Sequence, residues 1–528
     1  MTNASDPEVE KLLEAAKRAY AGGDKPGAAA LARQTLLRRP GDATALQILG
    51  VVALDAGDAA AARRHLEASN AARPNAVTLN MIGVAAGRMD DSVVARAAFT
   101  RAGEMGLAEG WRNLGVTEKG EAQIAAYQKA IAMAPNDAAS QAGLAQAFEL
   151  RHDLARAKEH GDAALRLDAG NVTARLALAR VLMREKDFAG AEAMLAPVVQ
   201  APRTPAELRA QALGLVGDSR DRRDDAHGAF EAFTAANQLS LQLHGAWLNA
   251  SERLYHPDSV RRMDEMASKL DASGWSAPTG TRSPVFLVGF PRSGTTLLDQ
   301  ILESHSNIVC LEESEHFSDA LGDVVTEPSR AFAPASLTTE EMQRVRDGYW
   351  RRVGDREASV VVDKYPLNIV VLPLIKRVFP NAKIIFALRD PRDVVLSCFQ
   401  QRFTINAAMA QFLELDRAGA YYDQVMTLFE RCRARLNLNL SQVRYEDVVA
   451  DLEGTARALC AFLSAPFEDR MLNYRETALK RDIATPSARQ VIEPLYSRSI
   501  ERWRRYEEEL APVLPVLTPW AERYGYAP

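Results

Sequence analysis

A spacing of 34 residues governs the first part of the chain. In "GGDKPGAAALARQTLLRRPGD" and "AGDAAAARRHLEASNAARPNA", Asp24 and Asp58, Ala28 and Ala62, and Pro40 and Pro74 each stand 34 residues apart. Further on, "LRHDLARAKEHGDAALRLDAGN" and "REKDFAGAEAMLAPVV" keep that distance between Asp153 and Asp187, Ala155 and Ala189, and Ala157 and Ala191. "GRMDDSVVARAAFTRAGEMG" and the shorter "EKGEAQIAAYQKAIAMAPND" lie between these two pairs and "RRDDAHGAFEAFTAANQL" follows, which makes about seven units, two of them irregular. A unit of this length is a helix pair that cannot bury its apolar side alone, so neighbours must stack into a superhelix with a concave face. The alanines let helix backbones approach closely. Asp24, Asp58 and Asp187 fall between the two helices of a unit, where a carboxylate can cap the second helix.

This period, with small residues where helices cross, resembles the tetratricopeptide repeat. The resemblance speaks to fold and hardly to ligand. It leaves open a pure scaffold, a surface for an extended peptide or protein partner, and pairing with a second copy of the chain as a homodimer.

The remaining bounds are broad. A chain of 528 residues with 47% hydrophobic and 25% charged residues has room for two or more folded domains and is not of disordered composition. A net charge of −5 gives no reason to expect nucleic acid or an anionic membrane surface as partner. The start, "MTNASDPEVEKLLEAAKRAY", has no apolar core of the secretory type, and no apolar run is long enough to span a bilayer. Cys310, Cys398, Cys432 and Cys460 form no CxxC pair and suggest no disulfide framework. A cytoplasmic protein is the simplest expectation.

The rhythm then changes. "HGAWLNASERLY" and "SVRRMDEMASKLDASGW" have helical spacing, and Pro278, Gly280 and Pro284 break it. We therefore expect a repeat domain over 1–240, a helical connector over 241–283 and a second domain over 284–528. In the last, "PVFLVGF", "SVVVDKYP", "AKIIFALRDP" and "LNLSQVRYEDV" read as strands, and "TTLLDQILES", "NIVVLPLIKRVF", "DVVLSCFQQRF" and "DLEGTARALCAFL" as helices. Near-continuous apolar strands alternating with helices predict a parallel sheet covered on both faces, with ligands at the carboxyl ends of its strands.

One such end carries "GFPRSGTT". Gly289 and Gly294 permit a tight path with inward-pointing amides. Thr295 and Thr296 open a helix whose unpaired N–H groups and dipole favour an anion. Ser293 adds a hydroxyl and Arg292 a forked cation. Thr295 stands where an ATP-binding loop GxxxxGK[ST] has lysine, and no metal-binding aspartate is evident after a second strand. Both features argue against a magnesium nucleotide triphosphatase.

The stretch PRSGTTLL resembles the 5′-phosphosulfate loop of sulfotransferases that use 3′-phosphoadenosine 5′-phosphosulfate. It is most similar to the tyrosylprotein sulfotransferases and to bacterial sulfotransferases fused to tetratricopeptide repeats. The resemblance covers roughly residues 284–510 and implies roles for individual residues. Arg292, Ser293, Gly294, Thr295 and Thr296 hold the phosphosulfate. "FALRDPRDVVLSCF" matches a second signature, in which Arg389 and Ser397 hold the 3′-phosphate; a forked cation with a hydroxyl suits a terminal phosphate. Arg389 could instead pair with Asp390 or Asp393, and Arg392 reads as a structural charge. In "NIVCLEESEHF" the position of the proposed base is Glu313 rather than Glu312, with His316, and less so His305, as rival bases. Lys364 in "VVVDKYPLN" matches a strand-end lysine which, with Arg292, stabilises charge on the departing oxygen without a metal. Tyr445 in "VRYEDVV" lies near the nucleotide, and Arg502 and Trp503 in "SRSIERWRRYEEEL" match a loop closing over the adenosine.

Two departures accompany the resemblance. Cys310 matches a cysteine that is disulfide-bonded in the secretory enzymes, but its partner position here is Val362. Glu493 stands where those enzymes carry a lysine. The expected architecture is thus an all-α tetratricopeptide superhelix followed by a P-loop-like parallel-sheet α/β sulfotransferase domain. The expected activity is transfer of a sulfuryl group to a hydroxyl, with a peptide or protein tyrosine favoured. A carbohydrate or small-molecule acceptor is the alternative, and a nucleotide kinase or a non-catalytic repeat scaffold are the rivals from other classes.

Overall fold

A computed structural model describes residues 6–251, 253–276, 280–311, 313–355, 360–480 and 497–527. It forms two compact units, Met1–Pro202 and Arg203–Pro528. No helix among the described residues is long and apolar enough to cross a membrane.

The first unit is a succession of antiparallel helix pairs from Pro7–Ala21 to Phe188–Gln200. The periodic aspartates act as anticipated. Asp24, Asp58 and Asp187 precede the second helix of their pairs and accept from the backbone N–H of Gly27, Ala61 and Gly190 at 2.9, 2.9 and 2.8 Å. Asp91 and Asp153 do the same for Val94 and Arg156. Each satisfies one of the helix's otherwise orphan donors. Small residues sit where helices meet: a Cβ on Gly50 would lie 2.5 Å from Leu66 Cγ, and one on Gly83 would lie 2.5 Å from the Phe99 ring.

The second unit opens with one more pair of the same kind, Ala206–Arg222 and Ala226–His244, again capped by an aspartate, Asp225. This seventh pair falls largely inside the expected repeat segment 1–240, ending at His244, yet it packs into the interior of the sheet domain. Ala229 and Phe233 join the sheet's larger core cluster, Phe230 stacks on Phe399 at 5.0 Å, and Asn237 donates to the Phe399 carbonyl at 2.8 Å. Of the two connector stretches, "SVRRMDEMASKLDASGW" contributes the helix Pro257–Lys269. "HGAWLNASERLY" is not the helix anticipated: after His244 the chain makes a single 3₁₀ turn, Gly245–Asn249.

Among the described residues the sheet has five strands: β1 (Val285–Gly289), β2 (Ile308–Leu311), β3 (Val360–Lys364), β4 (Lys383–Leu388) and β5 (Asn439–Arg444). Their order is β2-β3-β1-β4-β5, and every pairing is parallel. β2, in "NIVCL", was not among the anticipated strands. Successive residues of β1 alternate between two cores. Phe286 and Val288 pack with Tyr421, Tyr422 and Phe429 of the helix Leu415–Arg435 on one face, and Val285 and Leu287 with the helices Thr295–Glu303 and Leu452–Leu463 on the other. Both faces are therefore buried, as parallel sheets require. In the β2–β3 register Cys310 stands directly beside Val362, which has no thiol to bridge it.

Candidate functional site

The site is built from strand ends. β1 is central and passes into Phe290–Gly294, and the helix Thr295–Glu303 begins at once. The backbone is left-handed twice in this turn, at Arg292 (φ 72°) and Gly294 (φ 93°). An arginine held there costs on the order of 1–3 kcal/mol, a strain that persists at loops shaped for ligands. Gly294 is needed for a second reason, since a Cβ would meet Tyr445 Cδ2 at 2.8 Å. The helix has no side-chain cap and no acidic residue in its first turn, so its N-terminal field is directed at the loop. Ser293, Thr295 and Thr296 are all buried beneath it.

β4, next to β1, ends at Leu388, and Arg389 comes immediately after it. Its Nη1 donates to the Arg292 carbonyl at 3.2 Å and its Nη2 to the Ser499 carbonyl at 2.5 Å, while its Nε is buried without a hydrogen-bond partner. Arg292 Nε donates to Ser397 Oγ at 3.0 Å, nearly two turns into the helix Pro391–Gln400. Tyr445, just past β5, lies under the Arg389 guanidinium at 5.1 Å and shares a hydrogen bond with Ser499 Oγ at 2.9 Å. Arg292, Gly294, Arg389, Ser397 and Tyr445 are thus brought together. Asp390 does not neutralise Arg389, because it is held by Arg392 through bonds of 3.0 and 2.8 Å. Asp393 lies at 4.0 Å. Burial, partly offset by Arg389, pushes its carboxyl up to about 6. Arg392 is a buried structural cation, stacked on Trp503 at 3.9 Å.

On the other side of β1, β3 delivers Lys364, whose Nζ donates to Glu313 Oε1 at 3.0 Å. Lys364 is 1% exposed and the Glu313 side chain 31%, so a buried cation holds a carboxylate that solvent can reach. His316 is half-buried, and desolvation moves its imidazole below its usual range. His305 is a core residue, tied to the Pro466 carbonyl at 2.7 Å and to the Asn307 N–H at 3.0 Å. Glu312 and Glu493 lie outside the described residues.

Arg502 and Trp503, expected to close over the adenosine, are engaged in other contacts. Arg502 pairs with Asp221 at 3.0 Å. The Trp503 ring is 3% exposed between Arg392 and Arg504, and its backbone N–H donates to Asp393 Oδ1 at 2.8 Å. The residue of that stretch which reaches Arg389 and Tyr445 is Ser499, just upstream, and nothing in its spacing marks it.

Beside Lys364, Asp363 points to the opposite face, where Tyr349 donates to it at 3.0 Å. Burial pushes its carboxyl from 3.8 up to about 7. Its contribution to stability is therefore complete below about pH 4 and is lost as pH rises through about 7. Relative to the native chain, Asp363→Asn should gain stability as pH rises from 5 to 8, by on the order of a few kcal/mol. Urea midpoints across that range check this; a constant difference would refute the buried titration.

Residues 284–469 match the model of the sulfotransferase family, and residues 150–213 match a tetratricopeptide repeat model. The chain carries a sulfotransferase-family domain. A protein of Aquifex aeolicus named only as uncharacterized is 30% identical over 343 residues, which is 61% of this chain but 43% of that protein. Protein-tyrosine sulfotransferase A of Caenorhabditis elegans is 26% identical over 46% of this chain and 67% of its own length. Protein-tyrosine sulfotransferase 1 of Danio rerio is 26% identical over 46% and 72%. The sulfotransferase domain thus coincides with the strand ends that carry the loop, Arg389 and Lys364.

Proposed function

We propose that the sulfotransferase domain moves a sulfuryl group from 3′-phosphoadenosine 5′-phosphosulfate to a hydroxyl, favoured as that of a peptide or protein tyrosine. That nucleotide, when bound, supplies an activated sulfuryl group on a phosphate. The residues fit it. The observation that carries the reading is Arg389, a buried guanidinium with an unpartnered Nε at the end of the strand next to the phosphate-loop strand, linked through Arg292 to Ser397. Arg389 and Ser397 would hold the 3′-phosphate. The loop amides, Thr295 and Thr296 would hold the 5′ side, and Tyr445 would lie against the nucleotide. Glu313 is placed to accept the acceptor's hydroxyl proton, and Lys364 and Arg292 to set positive charge beside the departing oxygen. Among the described residues no group of His, Cys, Asp or Glu is gathered as a metal site. The concave face of the repeats suits a polypeptide acceptor.

Calorimetry with 3′-phosphoadenosine 5′-phosphate and with ADP tests this. A charge-assisted contact of this kind is worth about 1.5–3 kcal/mol. The 3′-phosphorylated nucleotide should therefore bind roughly tenfold to a hundredfold more tightly. Equal affinities, or preference for ATP, would sink the assignment and favour a kinase.

A further inference from the structure

Among its contacts with the sheet domain, the last repeat helix pair sets one buried carboxylate against the segment that enters the nucleotide pocket. Asp221 lies in the final turn of the helix Ala206–Arg222 and is 8% exposed. Its Oδ2 pairs with Arg502 at 3.0 Å, its Oδ1 accepts from the Tyr506 hydroxyl at 2.6 Å, and its carbonyl accepts from Arg505 Nη2 at 2.9 Å. Three side chains from one short segment thus converge on one residue of the repeat pair. Tyr506 is fully buried there.

The other end of that segment is in the pocket. Ser499 accepts from Arg389 through its carbonyl and bonds Tyr445 through its hydroxyl. Between the two anchors, Glu501 is left-handed at φ 54°, a conformation that a residue with a side chain keeps only when its surroundings enforce it. Trp503 adds a third anchor, to Asp393 in the helix that also bears Ser397.

We propose that Asp221 is a positioning residue for the nucleotide pocket: by holding Arg502, Arg505 and Tyr506 it fixes the strap 499–506, whose Ser499 aims Arg389 and Tyr445. The seventh repeat pair is then part of the catalytic apparatus, although it touches no reacting atom. The inference rests on the assignment of Arg389 to the 3′-phosphate.

The test uses the full chain carrying Asp221→Asn, Asp221→Glu or Tyr506→Phe. Binding of 3′-phosphoadenosine 5′-phosphate and of ADP is measured by calorimetry, and hydrogen exchange is monitored over 499–506. Asp221→Asn should lower the preference for the 3′-phosphorylated nucleotide about tenfold, the loss of one charge-assisted contact, and raise exchange in the strap. Asp221→Glu should restore most of the preference. Tyr506→Phe, which keeps the ion pair and removes one hydrogen bond, should shift both readouts less and in the same direction. A purely structural role would lower the unfolding midpoint and leave the preference intact; that result in folded Asp221→Asn overturns the proposal. Should Asp221→Asn not fold, Tyr506→Phe decides, and an unchanged preference with unchanged exchange is the negative. A native chain with no preference overturns the pocket assignment itself, and this inference with it.

Discussion

Glu313→Gln slows transfer by roughly 10²–10⁴-fold, the usual worth of a positioned general base, while nucleotide affinity stays near that of the native chain. The reason is geometric. Glu313 Oε1 receives Lys364 Nζ at 3.0 Å, and the side chain still reaches solvent. One carboxylate oxygen is therefore held and the group remains open to an incoming hydroxyl. Glutamine keeps the shape and the bond from Lys364 but cannot take the proton. The acidic limb of the rate profile should flatten with it. His316→Ala is the control for the rival base: if it abolishes transfer while Glu313→Gln keeps most of it, the carboxylate assignment fails.

Lys364→Ala lowers the rate on the order of 10²–10³-fold, the scale seen when a group stabilising transition-state charge is removed. Here the loss should extend across the whole pH profile rather than along one limb. The ion pair adds a condition to both results. Removing Lys364 also releases Glu313 from its bond, so the two substitutions act on one unit, and groups that act as a unit combine non-additively. The double variant should be little slower than the worse single one. Independent, multiplying effects would show that the contact between the two side chains has no part in the reaction.

Much of the architecture was legible because it rests on short-range rules. The repeat aspartates announce their caps, since capping is decided within three residues. The strand ends carrying Arg292, Lys364 and Arg389 are marked by apolar runs that stop at charged residues. β2 escaped notice: Ile308–Leu311 is four residues long, and pairing with β3 makes it a strand. The helices Thr339–Val353 and Leu415–Arg435 were not anticipated either. The second buries Ala418, Tyr422, Val425, Phe429 and Cys432 at regular helical spacing, a periodicity that the sequence carries and that was passed over.

The site divides in the same way. The loop and the strand-end cations follow recognisable strands, while Ser397 and the roles given to all of them came from the resemblance to sulfotransferase signatures. The pairing of Arg502 could not be read, because its partner Asp221 comes from a helix far upstream and no local pattern links them. Ser499 was hidden for the same reason: its role comes from Arg389 and Tyr445, which lie on two different strand ends.

The division of the chain at Pro202 and Arg203 bears on how such a protein could be assembled and recombined. Six helix pairs form a unit of their own and are exchangeable as a cassette, because their cores are local to neighbouring pairs. The seventh is not exchangeable, since Ala229 and Phe233 are shared with the sheet. The natural splice point therefore lies within the repeat array, one repeat before its end. An exchange made at the proline-rich break near residue 284 would carry away part of the sheet domain's own interior.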